Sequence, residues 1–203
     1  MDIQINDVPF KKTHLDIPDF TGIRQDVLRL LETGEWVEHV NQKDYSGGWQ
    51  VLPLRGLACH RDTNPILQAF QISEEDPQSY LNYPVMENAP GIDTFLQQFC
   101  CGVMSARLMK LDPGAKINTH RDDGLCFSKG QARLHLSLVS DEKVAFTVAD
   151  EAVPIREGEL WYLNADEPHS VVNNSDTSRI HLVVDCLSND WLKGVIGLSD
   201  RIS

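Results

Sequence analysis

At 203 residues and 22.9 kDa, with 41% hydrophobic and 24% charged residues, the chain has the make-up of one soluble globular domain. A net charge of -12 and an isoelectric point near 4.9 argue against nucleic acid as a partner, because a phosphate backbone repels an acidic surface. No apolar stretch approaches the ~20 residues of a membrane span, MDIQINDVPF lacks the features of a secretion signal, and five irregularly placed cysteines suit free thiols in a reducing cytoplasm.

The expected organisation is one domain over residues 1–203, with a mixed α/β flanking part (1–100) and a β-rich core (101–190). In DFTGIRQDVLRLLETGEW, Ile23, Val27, Leu30 and Leu31 recur at helical spacing, and Gly34 supplies a stop. A strand is expected around GGWQVLPLRG, followed by short helices near NPILQAFQ and IDTFLQQF, while YLNYPVMENAPG reads as loop. From residue 104 the pattern changes to eight short strand candidates: MSARLMKL, KINTH, ARLHLSLV, VAFTV, AVPIR, ELWYL, HSVVN and SRIHLVVDC. Turn-forming residues such as Asp112-Pro113-Gly114 and Asn173-Asn174 separate them. The fold class is therefore mainly β with flanking helices, a double-sheet jelly roll whose mouth can hold a ligand.

His120 and Asp122 lie two residues apart on the second of these strands, so both side chains leave one face. The spacing alone decides little. His14-Leu15-Asp16 and His60-Arg61-Asp62 repeat it, and 7 histidines with 19 aspartates in 203 residues produce roughly 0.7 such triplets by chance. What distinguishes His120-x-Asp122 is its company. His169 opens the seventh strand behind Pro168, and Arg179 follows ten residues later. Two imidazoles and one carboxylate with open positions make the facial triad of non-haem Fe(II) oxygenases, and a buried guanidinium offers a planar fork to a carboxylate. Neither His14 nor His60 has such partners downstream; both are read as non-ligands, with His60 retaining a place as a pocket-lining residue.

In this order, His-x-Asp, RLHL, GELWYLNADEPH and an arginine ten residues past the last histidine, the chain resembles the aspartyl/asparaginyl β-hydroxylase family. Within it, GELWYL…PHS and RIHLVVD resemble bacterial hydroxylases of free proline most. The animal peptide hydroxylases of the family have a glycine where this chain has Asp122. The resemblance covers residues 100–190 well and the earlier half loosely, where Trp49 and Arg55 of WQVLPLR match in spacing.

The resemblance implies a double-stranded β-helix, a cupin-like jelly roll, that uses Fe(II), 2-oxoglutarate and O2. It implies His120, Asp122 and His169 as iron ligands and Arg179 on the distal carboxylate of 2-oxoglutarate, with Arg133 and His135 beside that cosubstrate. The implied reaction is hydroxylation of a free, proline-like amino acid with release of succinate and CO2. Two alternatives stand beside it: β-hydroxylation of Asp or Asn in a short peptide, and a non-catalytic cupin-like module that binds a metal or small acid.

Other residues follow from strand alternation. Arg107 and Lys110 point to opposite faces, and Arg107 is the one expected inside. Arg55 and Arg107 are the candidates for a substrate carboxylate and Asp123 for its amine. His135 and His181 stand between cosubstrate contact and core packing, and Trp49 and Trp161 are read as packing residues. The polar stretch RDDGLCFSKGQ (121–131) is either a lid or a solvated hairpin.

Overall fold

The computed structural model describes residues 7–58 and 80–199. Among the described residues, thirteen strands and three α-helices follow in chain order. They are β1 (Phe10–Lys12), α1 (Phe20–Thr33), β2 (Val37–Glu38), β3 (Tyr45–Ser46), β4 (Trp49–Leu57), β5 (Tyr80–Asn82), α2 (Pro90–Leu96), β6 (Val103–Leu111) and β7 (Lys116–His120). Then come β8 (Gln131–Val139), β9 (Val144–Val148), β10 (Glu151–Ala152), β11 (Leu160–Leu163), β12 (His169–Asn173), β13 (Arg179–Leu187) and α3 (Asp190–Ile196). The strands make two antiparallel sheets: an eight-stranded one ordered β1-β11-β8-β13-β6-β4-β2, with β5 also on β4, and a five-stranded one ordered β10-β9-β12-β7-β3. The mainly β, jelly-roll expectation stands.

Period-2 alternation divides the core in two. On β8, Leu134, Leu136 and Leu138 join Ile180, Leu182 and Val184 of β13 and the apolar stripe of α1 in one buried cluster. Their alternates face the other sheet, where Trp49, Val51, Met109 and Leu111 meet Ile117, Phe146, Val148 and Val171 in a second cluster. Each fully buried leucine contributes about 1.5–3 kcal/mol. The helix side of the large sheet therefore supplies much of the stability, leaving the inter-sheet side free to carry polar groups.

Helix α1 starts where Asp19 accepts the Gly22 N–H at 2.9 Å and stops where the Gly34 N–H donates to Leu30 O at 2.9 Å. A Cβ at Gly34 would meet that oxygen at 2.5 Å and Leu52 Cδ2 at 2.8 Å, so glycine is required for the close approach. Buried Asp26 joins the helices by accepting the Ile92 N–H at 2.9 Å.

Three local expectations change. AVPIR is a strand only at its first residue: β10 ends at Ala152, because Pro154 has no N–H to continue a ladder. YLNYPVMENAPG is not irregular; it holds β5, a 3-10 turn (Pro84–Asn88) and the start of α2 at Pro90. The stretch 121–131 is not a solvated hairpin, since Leu125, Cys126 and Phe127 are buried and the Phe127 N–H donates to Tyr162 Oη at 3.0 Å. NPILQAFQ and His60 lie outside the described residues.

One buried side chain ties the two sheets together at the end of β12. Asn173 Nδ2 donates to Leu111 O (3.0 Å), Asp112 O (3.1 Å) and Thr177 O (2.8 Å), while its Oδ1 accepts from Ser175 N (3.1 Å) and Ser175 Oγ (2.6 Å). Asn173→Ala strands these partners and should lower stability by about 2–4 kcal/mol, read as a reduced urea midpoint. An unchanged midpoint would remove the stitching role.

Candidate functional site

Between the sheets lies a cavity of about 250 Å³. Its small-sheet wall carries the three sequence-predicted metal residues. His120 ends β7 and His169 begins β12, and the two are direct cross-strand partners with ring centroids 4.2 Å apart. Asp122 follows β7 and is anchored by its N–H to Ala165 O at 2.8 Å, in the loop that leads into His169. Pro168 directs the entry of that strand, its own carbonyl accepting from Ala149 N at 2.8 Å.

One donor atom from each of His120, Asp122 and His169 falls within 4.8 Å of the others, a spacing that can hold a metal ion. The tautomers suit this. His120 Nδ1 donates to Asn118 O at 2.8 Å and His169 Nδ1 to Glu167 O at 3.0 Å, so each Nε2 lone pair is left for a ligand. His169 is held neutral, its pKa lowered to about 4 by burial and then by His120, against the opposing pull of Asp122. Burial alone would raise the pKa of Asp122, but the adjacent Arg133 guanidinium outweighs it and keeps the carboxylate ionised.

The large-sheet wall supplies cations. Arg107, Arg133 and Arg179 all line the cavity and are 8%, 6% and 2% exposed. Two of them are paired. Asp185 receives Arg107 Nη1 at 2.9 Å and Arg133 Nε at 2.8 Å, and Arg133 Nη1 also holds Asp122. Burial would raise the Asp185 pKa, yet the Arg107 and Arg133 charges hold it far below the ordinary carboxylate range.

Arg179 differs: among the described residues no carboxylate pairs with it. Its Nη2 donates to His181 Nδ1 at 2.6 Å, its guanidinium lies 5.4 Å from the Phe146 ring centroid, and burial lowers its pKa to about 9. Three buried polar atoms close by have no partner among the described residues: Arg179 Nε, His181 Nε2 and Ser137 Oγ, the last directly opposite His181 across β8 and β13. Orphaned buried donors around an unpaired cation are the signature of a site built for an anion.

A family model described as aspartyl/asparaginyl beta-hydroxylase matches residues 18–189. The chain belongs to this family. It is also 28% identical over 141 residues to the L-proline cis-4-hydroxylase of Rhizobium meliloti (strain 1021), covering 68% of this chain and 48% of that one. The chain thus spans about half the length of this curated relative. Among solved structures, the non-heme alpha ketoglutarate dependent epimerase SnoN in complex with Fe3+, alpha ketoglutarate and nogalamycin RO aligns at 14% identity with a TM-score of 0.54, over 88% of this chain and 78% of that one. The carbocyclase SnoK aligns at 13% identity with a TM-score of 0.50, over 95% and 81%. Both likenesses are of fold.

In this member of the aspartyl/asparaginyl β-hydroxylase family, other predicted residues divide clearly. Arg133 and His135 line the cavity, His135 Nδ1 lying 3.4 Å from His181 Nδ1. Arg107 faces inward, whereas Lys110 points away and pairs with Asp112 at 3.4 Å. Two substrate candidates are corrected. Arg55 is spent on Val103 O (2.9 Å), Asn82 Oδ1 (2.9 Å) and Tyr80 O (3.2 Å), because a register shift between Pro53 and Arg55 turns it off the cavity face. Asp123 is exposed and does not line the cavity. Trp49 packs in the inter-sheet core and also lines the cavity, stacked on His39 with centroids 3.5 Å apart.

Sequence reasoning missed Asp185, Ser105 and the mouth segment His39–Asp44. Asp185 had a signal: it continues the inward face of Arg179, His181 and Val183, next to two inward arginines that required an acid. His39 had none, for it belongs to a loop whose partner Trp49 lies on another strand.

Four imidazoles resist protonation here: His39 and His169 are lowered to about 4, and His135 and His181 well below 6.5, burial being the first cause in each. The unfolded chain binds these protons below pH about 6.5 and the folded chain does not, so stability falls as pH drops from about 6.5 toward about 4. Metal-free protein should therefore show a lower urea midpoint at pH 5 than at pH 7, and His39→Gln should lessen the drop. A midpoint that is flat or rises toward pH 5 would contradict these assignments.

Proposed function

We propose that this chain is an Fe(II)- and 2-oxoglutarate-dependent dioxygenase that hydroxylates a free amino acid, proline or a close analogue, releasing succinate and CO2. The observation that carries the reading is one cavity with a metal-capable His120–Asp122–His169 cluster on one sheet and, on the other, a buried Arg179 that no carboxylate pairs with among the described residues. The donor set fits Fe(II): two neutral nitrogens and one carboxylate leave a divalent ion with formal charge +1 and open positions for a chelating acid and O2. When bound, the iron supplies the O2-dependent oxidation; everything else is placement.

In this reading His120 and His169 are aimed by the carbonyls of Asn118 and Glu167, and Asp122 is steadied by Arg133. Arg179 takes the distal carboxylate of 2-oxoglutarate, with His135 and His181 around it. Such a charge-assisted contact contributes about 1.5–3 kcal/mol. Arg107 uses only Nη1 on protein partners among the described residues, which leaves its Nε/Nη2 edge for the carboxylate of the amino acid. Met109, Ile117, Val148 and Val171 keep the rest of the cavity dry.

The named function of the Rhizobium relative supports a free amino acid. The family description taken alone would favour Asp or Asn in a peptide, but a cavity of about 250 Å³ lined by three buried arginines suits small acids. Cytoplasmic location fits Cys100, Cys101, Cys126 and Cys186 all being free, and no helix among the described residues is long and apolar enough to cross a membrane.

The deciding experiment is succinate release with Fe(II), 2-oxoglutarate and ascorbate across free amino acids and Asp- or Asn-containing peptides. Release with proline-like amino acids is expected. Release with peptides alone would transfer the activity to the second substrate class, and release with none would leave a binding module. Asp122→Ala should abolish release and weaken iron binding; full activity would refute the ligand assignment. Arg179→Ala should raise the KM for 2-oxoglutarate by about 10- to 100-fold. An unchanged KM would mean that another residue holds the distal carboxylate.

A further inference from the structure

Ser105, Asp185 and Arg133 are direct neighbours across three adjacent strands: Asp185 of β13 is in register with Ser105 of β6 on one side and Arg133 of β8 on the other. Arg107, two residues beyond Ser105, leaves the same face. Asp185 engages all three. Its Oδ1 accepts from Arg133 Nε at 2.8 Å. Its Oδ2 accepts from Arg107 Nη1 at 2.9 Å, Ser105 Oγ at 3.1 Å and Arg133 Nη2 at 3.2 Å. The opposite edge of Arg133 holds Asp122 through Oδ2, the oxygen that lies 4.0 Å from His169 Nε2. A chain of alternating charges thus runs Arg107–Asp185–Arg133–Asp122, every member buried.

We propose that Asp185 is a positioning residue through which the acid-binding edge of Arg107 is coupled to the metal-ligating carboxylate of Asp122. The inference rests on the functional reading above and adds a route to it. A substrate carboxylate on the Nε/Nη2 edge of Arg107 shares that cation, so the pull of Arg107 on Asp185 Oδ2 weakens. Asp185 then holds Arg133 more tightly. The guanidinium is a rigid plane, so a stronger bond on its Nε/Nη2 edge draws the Nη1 edge away from Asp122. Released from part of that contact, Asp122 is a better donor to the metal. Amino-acid binding therefore strengthens metal binding, and reciprocity requires the metal to strengthen amino-acid binding by the same factor. Asp185 touches neither partner, so its effect is exerted only through the two arginines.

The test is a Co(II) titration of the full chain, followed by visible absorption, with 2-oxoglutarate present and with or without the amino acid that releases most succinate, L-proline being the first probe. Wild type should bind Co(II) about tenfold more tightly with the amino acid present. Asp185→Asn should bind Co(II) with that ratio reduced to about one, and the amino-acid-induced change in the Co(II) spectrum should disappear. Arg133→Lys provides the second variant should Asp185→Asn fail to fold. It keeps the buried charge but cannot grip two carboxylates along two edges, and it should lose the coupling too. A purely structural Asp185 would lower the yield or melting temperature and leave the ratio intact in the folded protein; that result, in either variant, overturns the relay. So does a wild-type ratio of one. Failure of wild type to bind Co(II) at all would instead strike the functional reading itself.

Discussion

Five ionised side chains lie buried between two sheets, largely withdrawn from solvent, and the geometry of the site follows from how they pair. Taking a charge out of water costs several kcal/mol unless a partner of opposite sign meets it with good geometry. Asp185 meets this requirement for Arg107 and Arg133 together, and Arg133 carries the arrangement on to Asp122. None of these groups can turn away without leaving another unpaired. The direction of the Asp122 carboxylate, and with it the His120–Asp122–His169 cluster, is fixed by this constraint as much as by the strands that carry the residues.

The fold makes such a wet-chemistry layer tolerable by placing its apolar reserve elsewhere. Alternation on β8 and β13 sends Leu134, Leu136, Leu138, Ile180, Leu182 and Val184 to the helix side and Arg133, His135, Arg179, His181 and Asp185 to the cavity side. Each strand therefore serves both purposes with successive residues. Helices α1 and α2 cover one face of the large sheet, and the small sheet covers the other at the distance a small ligand needs. The same division explains how a chain of net charge -12 offers a cavity in which three guanidiniums face two carboxylates.

Much of this was legible in the residues. The strands from β6 to β13 announce themselves by alternation and by turn chemistry, and the triad is visible because His120-x-Asp122 shares a face and Pro168 marks the entry of His169. The misreadings have local causes. Pro154 shortens β10 within a stretch of good strand composition. A register shift inside β4 reverses the face of Arg55, which strict alternation from Trp49 and Val51 would have sent inward. Leu125, Cys126 and Phe127 sink into the core from a loop whose polar neighbours dominate its composition. Asp185 hides in an apolar strand where a single acid reads as a strand end. Alternation from Arg179, His181 and Val183 puts it on the inward face, but its pairing with Arg107 and Arg133 emerges only when three strands are laid side by side.

The three arginines show how one residue type serves different ends according to what the fold supplies. Arg107 and Arg133 each find a carboxylate within the fold, Asp185 for both and Asp122 for Arg133 as well. Arg179 is left with a histidine, an aromatic face and an orphaned Nε. A buried cation without a counter-ion is costly for the empty protein, and burial already draws its pKa down to about 9. On the proposed reading that cost becomes selectivity. A monoacid chelating the metal at one end of the cavity would leave Arg179 unpaired at the other, whereas a dianion of the right length satisfies both ends. A buried group left without its partner penalises the wrong ligand more strongly than any apolar contact can reward the right one. On that reading, the lack of a carboxylate partner for Arg179 among the described residues is what would let the cavity distinguish acids that differ by a single carboxylate.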